Sequence, residues 1–228
     1  MKGPSPIPFL LLTALLGGCG TGVDTGASPA PQGPLASRGE AQELVPPGYG
    51  TLLQDEITLR IQDEDLLIKV TPLAERVIRL TAPDTYARLH GLAAGHGPRA
   101  SRGDLSQALF LVSFFSYQPD VRYEPEDLLL VNRGLRYRPR GIAPVTPSWG
   151  TQRLGQQETQ MAIYAFDGPL ELDRDLVVEY QSTRNGVWRD RIVPLLRAEE
   201  AKARARAGKS PEEETRIEDG ESPTPNLG

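Results

Sequence analysis

Residues 108–115 are apolar apart from Ser113 and include three phenylalanines. A short run this bulky and aromatic has the pattern of a β-strand covered on both faces. The segments around it repeat the β signature. Ile57, Leu59 and Ile61 alternate with Thr58, Arg60 and Gln62, the two-residue period of a half-buried strand. Leu66, Ile68 and Val70 resume the alternation after the polar turn Asp63-Glu64-Asp65, which predicts a hairpin.

Further along, residues 127–132 and 135–138 flank Arg133-Gly134 and predict a second hairpin. A proline-rich connection over 138–150 follows, then a strand over 157–166 that stops at Asp167-Gly168-Pro169. Leu176, Val178 and Tyr180 alternate, Asn185-Gly186 predicts a hairpin turn, and 187–195 reads as a returning strand with Pro194 at an edge. Two helices interrupt the pattern. Leu73, Val77 and Leu80 fall at helical spacing behind Pro72, and a second short helix is expected from the N-cap Asp84 through Leu92 to Gly95, followed by a loop over 95–103. About eight strands at short spacing predict an antiparallel sandwich or barrel.

The ends differ in character. Residues 9–16 form a short apolar run behind the single charge of Lys2, closed by Leu16, Gly17, Gly18 and Cys19. Crossing a bilayer as a helix takes roughly 20 apolar residues, so this run predicts an export signal. It resembles a bacterial lipoprotein signal with its lipobox. The resemblance implies cleavage after Gly18, a diacylglyceryl group on the Cys19 thiol and palmitate-type acylation of the new amine. Cys19 is the sole cysteine, so an internal disulfide is impossible and lipidation gives the residue a role. Buried acyl chain contributes about 0.8 kcal/mol per CH₂, and two chains suffice for stable anchoring. With Gly20 rather than Asp behind the cysteine, the resemblance favours the outer membrane over the inner.

Residues 19–48 are rich in Gly, Ala, Ser, Thr and Pro and nearly free of large apolar side chains, the composition of a flexible tether. Such a tether has a typical end-to-end distance of about 30 Å. At the far end, residues 197–207 are Ala, Arg, Glu and Lys, a helix expected to be solvated because no large apolar residue follows Leu196. Residues 209–228 carry six acids against two bases and read as a disordered tail. The organisation expected is therefore signal 1–18, lipidated tether 19–48, β-domain 49–196, and charged helix and tail 197–228. The formal charge of −5 excludes a nucleic-acid partner recognised through a basic face.

From residue 104 to 195 the order of elements resembles the immunoglobulin-like domain of exported bacterial lipoproteins. The match rests on the long apolar strand, the segment Glu124-Pro125-Glu126-Asp127 leading into Leu128-Leu129-Leu130-Val131, and the strand Leu135-Arg136-Tyr137-Arg138-Pro139. It continues through the Leu154-Gly155 turn and Glu158 ahead of Met161. The resemblance implies a mainly β protein, an antiparallel sandwich with one or two short inserted helices. It also implies a binding, spacing or supporting role in the envelope.

Candidate chemistry is sparse. His90 and His96 are the only histidines, and two ligands fall short of the three or four a zinc site needs, so both are expected to be exposed near a helix end and in a loop. Asp63-Glu64-Asp65 and Asp173-Arg174-Asp175 lack the glycine and distal glutamate of a calcium loop and read as solvated turns. Arg102-Gly103-Asp104 matches an adhesion tripeptide but is too short to carry a function. Ser148 lacks the flanking glycines of a nucleophile turn and has no histidine beside it, and Trp149 reads as packing. No catalytic residue, metal or cofactor is assigned. The reading is a membrane-anchored, non-enzymatic binding or scaffold lipoprotein with an envelope protein or a glycan as partner. An envelope glycan hydrolase and a surface adhesin are the alternatives.

Overall fold

The computed structural model describes residues 44–208 except 169. The lipobox residues Leu16, Gly17, Gly18 and Cys19, the tether up to residue 43 and the acidic stretch 209–228 lie outside the described residues. Over the described residues the chain is mainly strands in antiparallel sheets, with few helices.

The alternating segments form strands where the period requires them. β1 (Leu59–Asp63) and β2 (Leu66–Pro72) make the first hairpin, closed by Glu64-Asp65 with Glu64 at φ 47°. α1 (Glu75–Ile78) and α2 (Pro83–Ala100) then lead to β3 (Ala108–Ser116). After β4 (Val121–Arg122), β5 (Leu128–Asn132) and β6 (Leu135–Tyr137) form the second hairpin, with Arg133 and Gly134 both at positive φ. β7 (Pro139–Pro144), β8 (Arg153–Leu154), β9 (Thr159–Phe166), β10 (Val177–Tyr180), β11 (Thr183–Asn185) and α3 (Val193–Ala207) complete the order.

One sheet has five strands in the order β1-β2-β3-β9-β7, a second has four in the order β11-β10-β5-β6, and β4 pairs with β8 alone. β3, the apolar run, is the middle strand of the first sheet. Its alternate residues Phe110, Val112 and Phe114 are fully buried, as are Ala162, Tyr164 and Phe166 of β9 beside them. Phe114 meets Tyr180 of β10 at 5.8 Å between ring centroids, so the two sheets share one core. Each such aromatic side chain contributes about 1.5–3 kcal/mol of apolar burial. Thr183 Oγ1 donates to Asp63 Oδ1 at 2.7 Å, and Asn185 Nδ2 donates to the Arg60 carbonyl at 2.8 Å. These two bonds tie the β1 edge of one sheet to the β11 edge of the other and cover two otherwise open edges.

Four expectations about element bounds and turns are corrected. The second helix does not stop at Gly95 but runs to Ala100, because Thr85, Leu89, Gly97 and Ala100 form one buried stripe against the sheet. A Cβ on Gly97 would lie 2.6 Å from the Leu109 side chain, and one on Gly141 of β7 would lie 1.9 Å from the Ala100 carbonyl oxygen. The proline-rich connection contains an edge strand, β7, which Pro139 and Pro144 bound rather than prevent. The last hairpin turns at Gln181-Ser182, with Gln181 at φ 49°, not at Asn185-Gly186. The expected strand over 187–195 is a π-helical turn, Trp188–Ile192, entering α3, where Pro194 takes a first-turn position.

The helix expected to be solvated is docked. Val193, Leu196, Glu199 and Ala203 recur at helical steps and are buried. Glu199 Oε1 accepts from the Thr51 backbone N–H at 3.0 Å, from the Thr51 hydroxyl at 2.9 Å and from Arg206 at 3.0 Å. Arg206 also donates to the Tyr49 carbonyl. The helix therefore crosses residue 196, where the β-domain is expected to end, and Val45 is buried ahead of its expected start at 49.

Candidate binding face

Strand alternation sends one set of β2, β3 and β9 side chains into the core and the other set to the outer face of the five-stranded sheet. α2 covers this outer face where Leu109, Ala165 and Gly141 lie. Among the described residues no helix covers the opposite end. There Leu67, Phe115 and Thr159 stand in register across β2, β3 and β9, and Lys69, Ser113 and Met161 form the next row. Of these, Leu67, Lys69, Ser113, Phe115 and Thr159 border, with Tyr117, an open groove of about 260 Å³. Phe115 is half-buried and its ring meets Tyr117 edge to face at 4.6 Å, while Tyr117 itself is 60% exposed.

Two cations at the groove share one carboxylate. Lys69 Nζ donates to Asp55 Oδ1 at 3.2 Å, and Arg60 pairs with Asp55 Oδ2 at 2.8 Å. Burial pulls the Asp55 carboxyl up, but the hydrogen bond and charge of Lys69, joined by Arg60, outweigh it and hold the group below the usual carboxylate range. Among the described residues the hydroxyls of Ser113, Tyr117 and Thr159 make no hydrogen bond. Apolar rings and unspent hydroxyls equip this face for non-covalent recognition.

The side chains singled out in the sequence do not gather at this face. His90 lies on α2 and is exposed, with Nδ1 2.7 Å from Glu75 Oε1 and its ring stacked on Tyr86. His96 is also on α2 rather than in a loop, and its buried Nδ1 makes no hydrogen bond. No group of three or more His, Cys, Asp or Glu side chains converges among the described residues. Asp63 is held by Thr183, and Asp173 lies 3.9 Å from Arg76. Arg102-Gly103-Asp104 is an exposed turn with Arg102 and Gly103 at positive φ, and Asp104 Oδ1 accepts from Ser106.

Ser148 and Trp149 belong instead to a polar lock that ties β9 to the segment around the β4–β8 pair. Ser148 Oγ donates to Glu158 Oε1 at 2.9 Å, and the Gly155 N–H donates to Glu158 Oε2 at 2.7 Å. Gln160, fully buried on β9, donates to Glu158 and to the Arg153 carbonyl, both at 2.8 Å, and accepts from Tyr123 at 2.5 Å. The Gly155 N–H, then Gln160 and Ser148, hold the Glu158 carboxyl below its ordinary range. Burial pushes the phenols of Tyr123, Tyr164 and Tyr180 up. They remain protonated near neutrality, and Tyr123 and Tyr164 donate hydrogen bonds. Trp149 packs against Phe114, Tyr123 and Tyr164, as its packing role predicts.

Sequence reasoning missed the Phe115–Tyr117 face. The signal was the same apolar run that located β3, because alternation in a middle strand commits one face to the core and frees Phe115 for the other. Comparison with protein-family models, curated proteins and solved structures finds no match to this chain. No helix among the described residues is long and apolar enough to cross a membrane.

Proposed function

We propose that this chain is a bacterial envelope lipoprotein, anchored through Cys19 and favouring the outer membrane. Its body is an immunoglobulin-like sandwich serving as a non-enzymatic binding or scaffold module. The observation that carries the reading is the sequence Leu16, Gly17, Gly18, Cys19 behind a short apolar run in a chain with no other cysteine. Two observations support the body's part in it. The order β2-β3-β9-β7 facing β11-β10-β5-β6 follows the Greek-key division of an immunoglobulin-type sandwich, with β1 as an added edge strand. The bare face around Phe115 and Tyr117 offers the module a place to bind.

Replacing Cys19 by alanine tests the anchor in cells fed an alkyne-bearing palmitate. The variant is expected to lose labelling and to leave the membrane fraction. Labelling equal to that of the parent chain would refute the assignment.

A further inference from the structure

We infer that the groove bordered by Leu67, Lys69, Ser113, Phe115, Tyr117 and Thr159 is a saccharide site that takes one or two pyranose rings. This deepens the binding-module reading and rests on it. The footprint follows from the sheet. Three strands about 4.8 Å apart and two rows about 7 Å apart make a floor of roughly 10 by 7 Å, the size of one or two sugar rings. The volume, about 260 Å³, falls just below the roughly 300–1,000 Å³ of pockets that enclose drug-sized ligands.

The chemistry of the lining selects the class. A glucose- or N-acetylglucosamine-type ring presents an apolar C–H face and a rim of hydroxyls. The exposed Tyr117 ring, fixed edge to face by Phe115, supplies an amphipathic platform for the apolar face. The hydroxyls of Ser113, Tyr117 and Thr159 have no partner among the described residues and are free to meet the rim. The only cation in the lining, Lys69, is already paired with Asp55, and Asp55 also holds Arg60. A protein partner would want a larger apolar floor, and here it is interrupted by Lys69, Ser113 and Thr159.

The test uses full-length protein in a detergent without a sugar headgroup, titrated with chitotetraose and cellotetraose by calorimetry and by saturation-transfer NMR. Binding is expected with a Kd of about 1 mM, with saturation transferred from the aromatic envelope of the protein. Tyr117→Ala should weaken it about tenfold and Thr159→Val about threefold, with unchanged thermal melting because both positions are exposed. Failure of both sugars to bind, or equal binding by Tyr117→Ala, would overturn the site. So would a Tyr117-dependent dimer on sedimentation, which would make the face an interface between copies. These outcomes leave lipid labelling at Cys19 untouched, so failure of the site and failure of the anchor are separately readable.

Discussion

Replacing Glu199 by alanine distinguishes a docked C-terminal helix from a solvated one. Glu199 is 4% exposed and accepts three hydrogen bonds, two from Thr51 and one from Arg206. A hydrogen bond to a charged group is worth about 1.5–3 kcal/mol net. The three are not additive, since exposed Thr51 and half-buried Arg206 regain water when the carboxylate goes, and removing a buried charge returns its desolvation cost. The expected loss is about 2 kcal/mol, which in a domain of this size lowers Tm by roughly 4–8 °C. Burial raises the Glu199 pKa, but the Thr51 and Arg206 hydrogen bonds outweigh it and depress the group in the folded state. Its contribution is therefore complete above the unfolded value of about 4.3 and is lost as pH falls through the folded one. Urea unfolding of the parent, Glu199→Ala and Glu199→Gln across that range measures both effects. The gap between parent and Glu199→Gln should close on acidification. A loss below about 0.5 kcal/mol at neutral pH, the usual range for surface changes, would show the helix to be solvated and the reasoning wrong.

Two further predictions probe the packing. Gly141→Ala places a Cβ 1.9 Å from the Ala100 carbonyl oxygen, a backbone atom that no rotamer change relieves, and should cost at least about 3 kcal/mol in a chemical melt. An unchanged midpoint would mean that α2 does not rest on β7 as described. Asn132→Leu keeps the branched shape of a fully buried side chain but removes its bonds to the Glu171 and Asp175 carbonyls and the Glu171 N–H. It should cost about 2–4 kcal/mol and abolish hydrogen-exchange protection at Glu171, and retained protection there would count against the anchoring role.

The parts of the fold legible in the sequence were those set by local alternation and turn chemistry. The β1–β2 hairpin and the Arg133-Gly134 hairpin follow from side chains within a dozen residues of one another. Elements that depend on distant partners were not legible. Gly95 looks like a helix terminator, but the helix runs on because Gly97 fits beneath the Leu109 side chain and Ala100 approaches the backbone at Gly141. α3 lacks an apolar stripe because one of its buried positions is a carboxylate whose partner, Thr51, lies far away in the chain. Asn185-Gly186 is a strong hairpin signal, yet Asn185 serves the opposite sheet through the Arg60 carbonyl and the turn forms earlier. The candidate face was half legible. The strand that builds it was located, but which of its faces stays bare depends on how far α2 reaches.

The anchor is the premise on which any envelope role depends. Intact-mass analysis of protein extracted from native membranes tests it most directly. The account predicts a chain beginning at Cys19 that carries the added mass of a thioether-linked diacylglyceryl group. A chain retaining residues 1–18, or an unmodified Cys19, would contradict it.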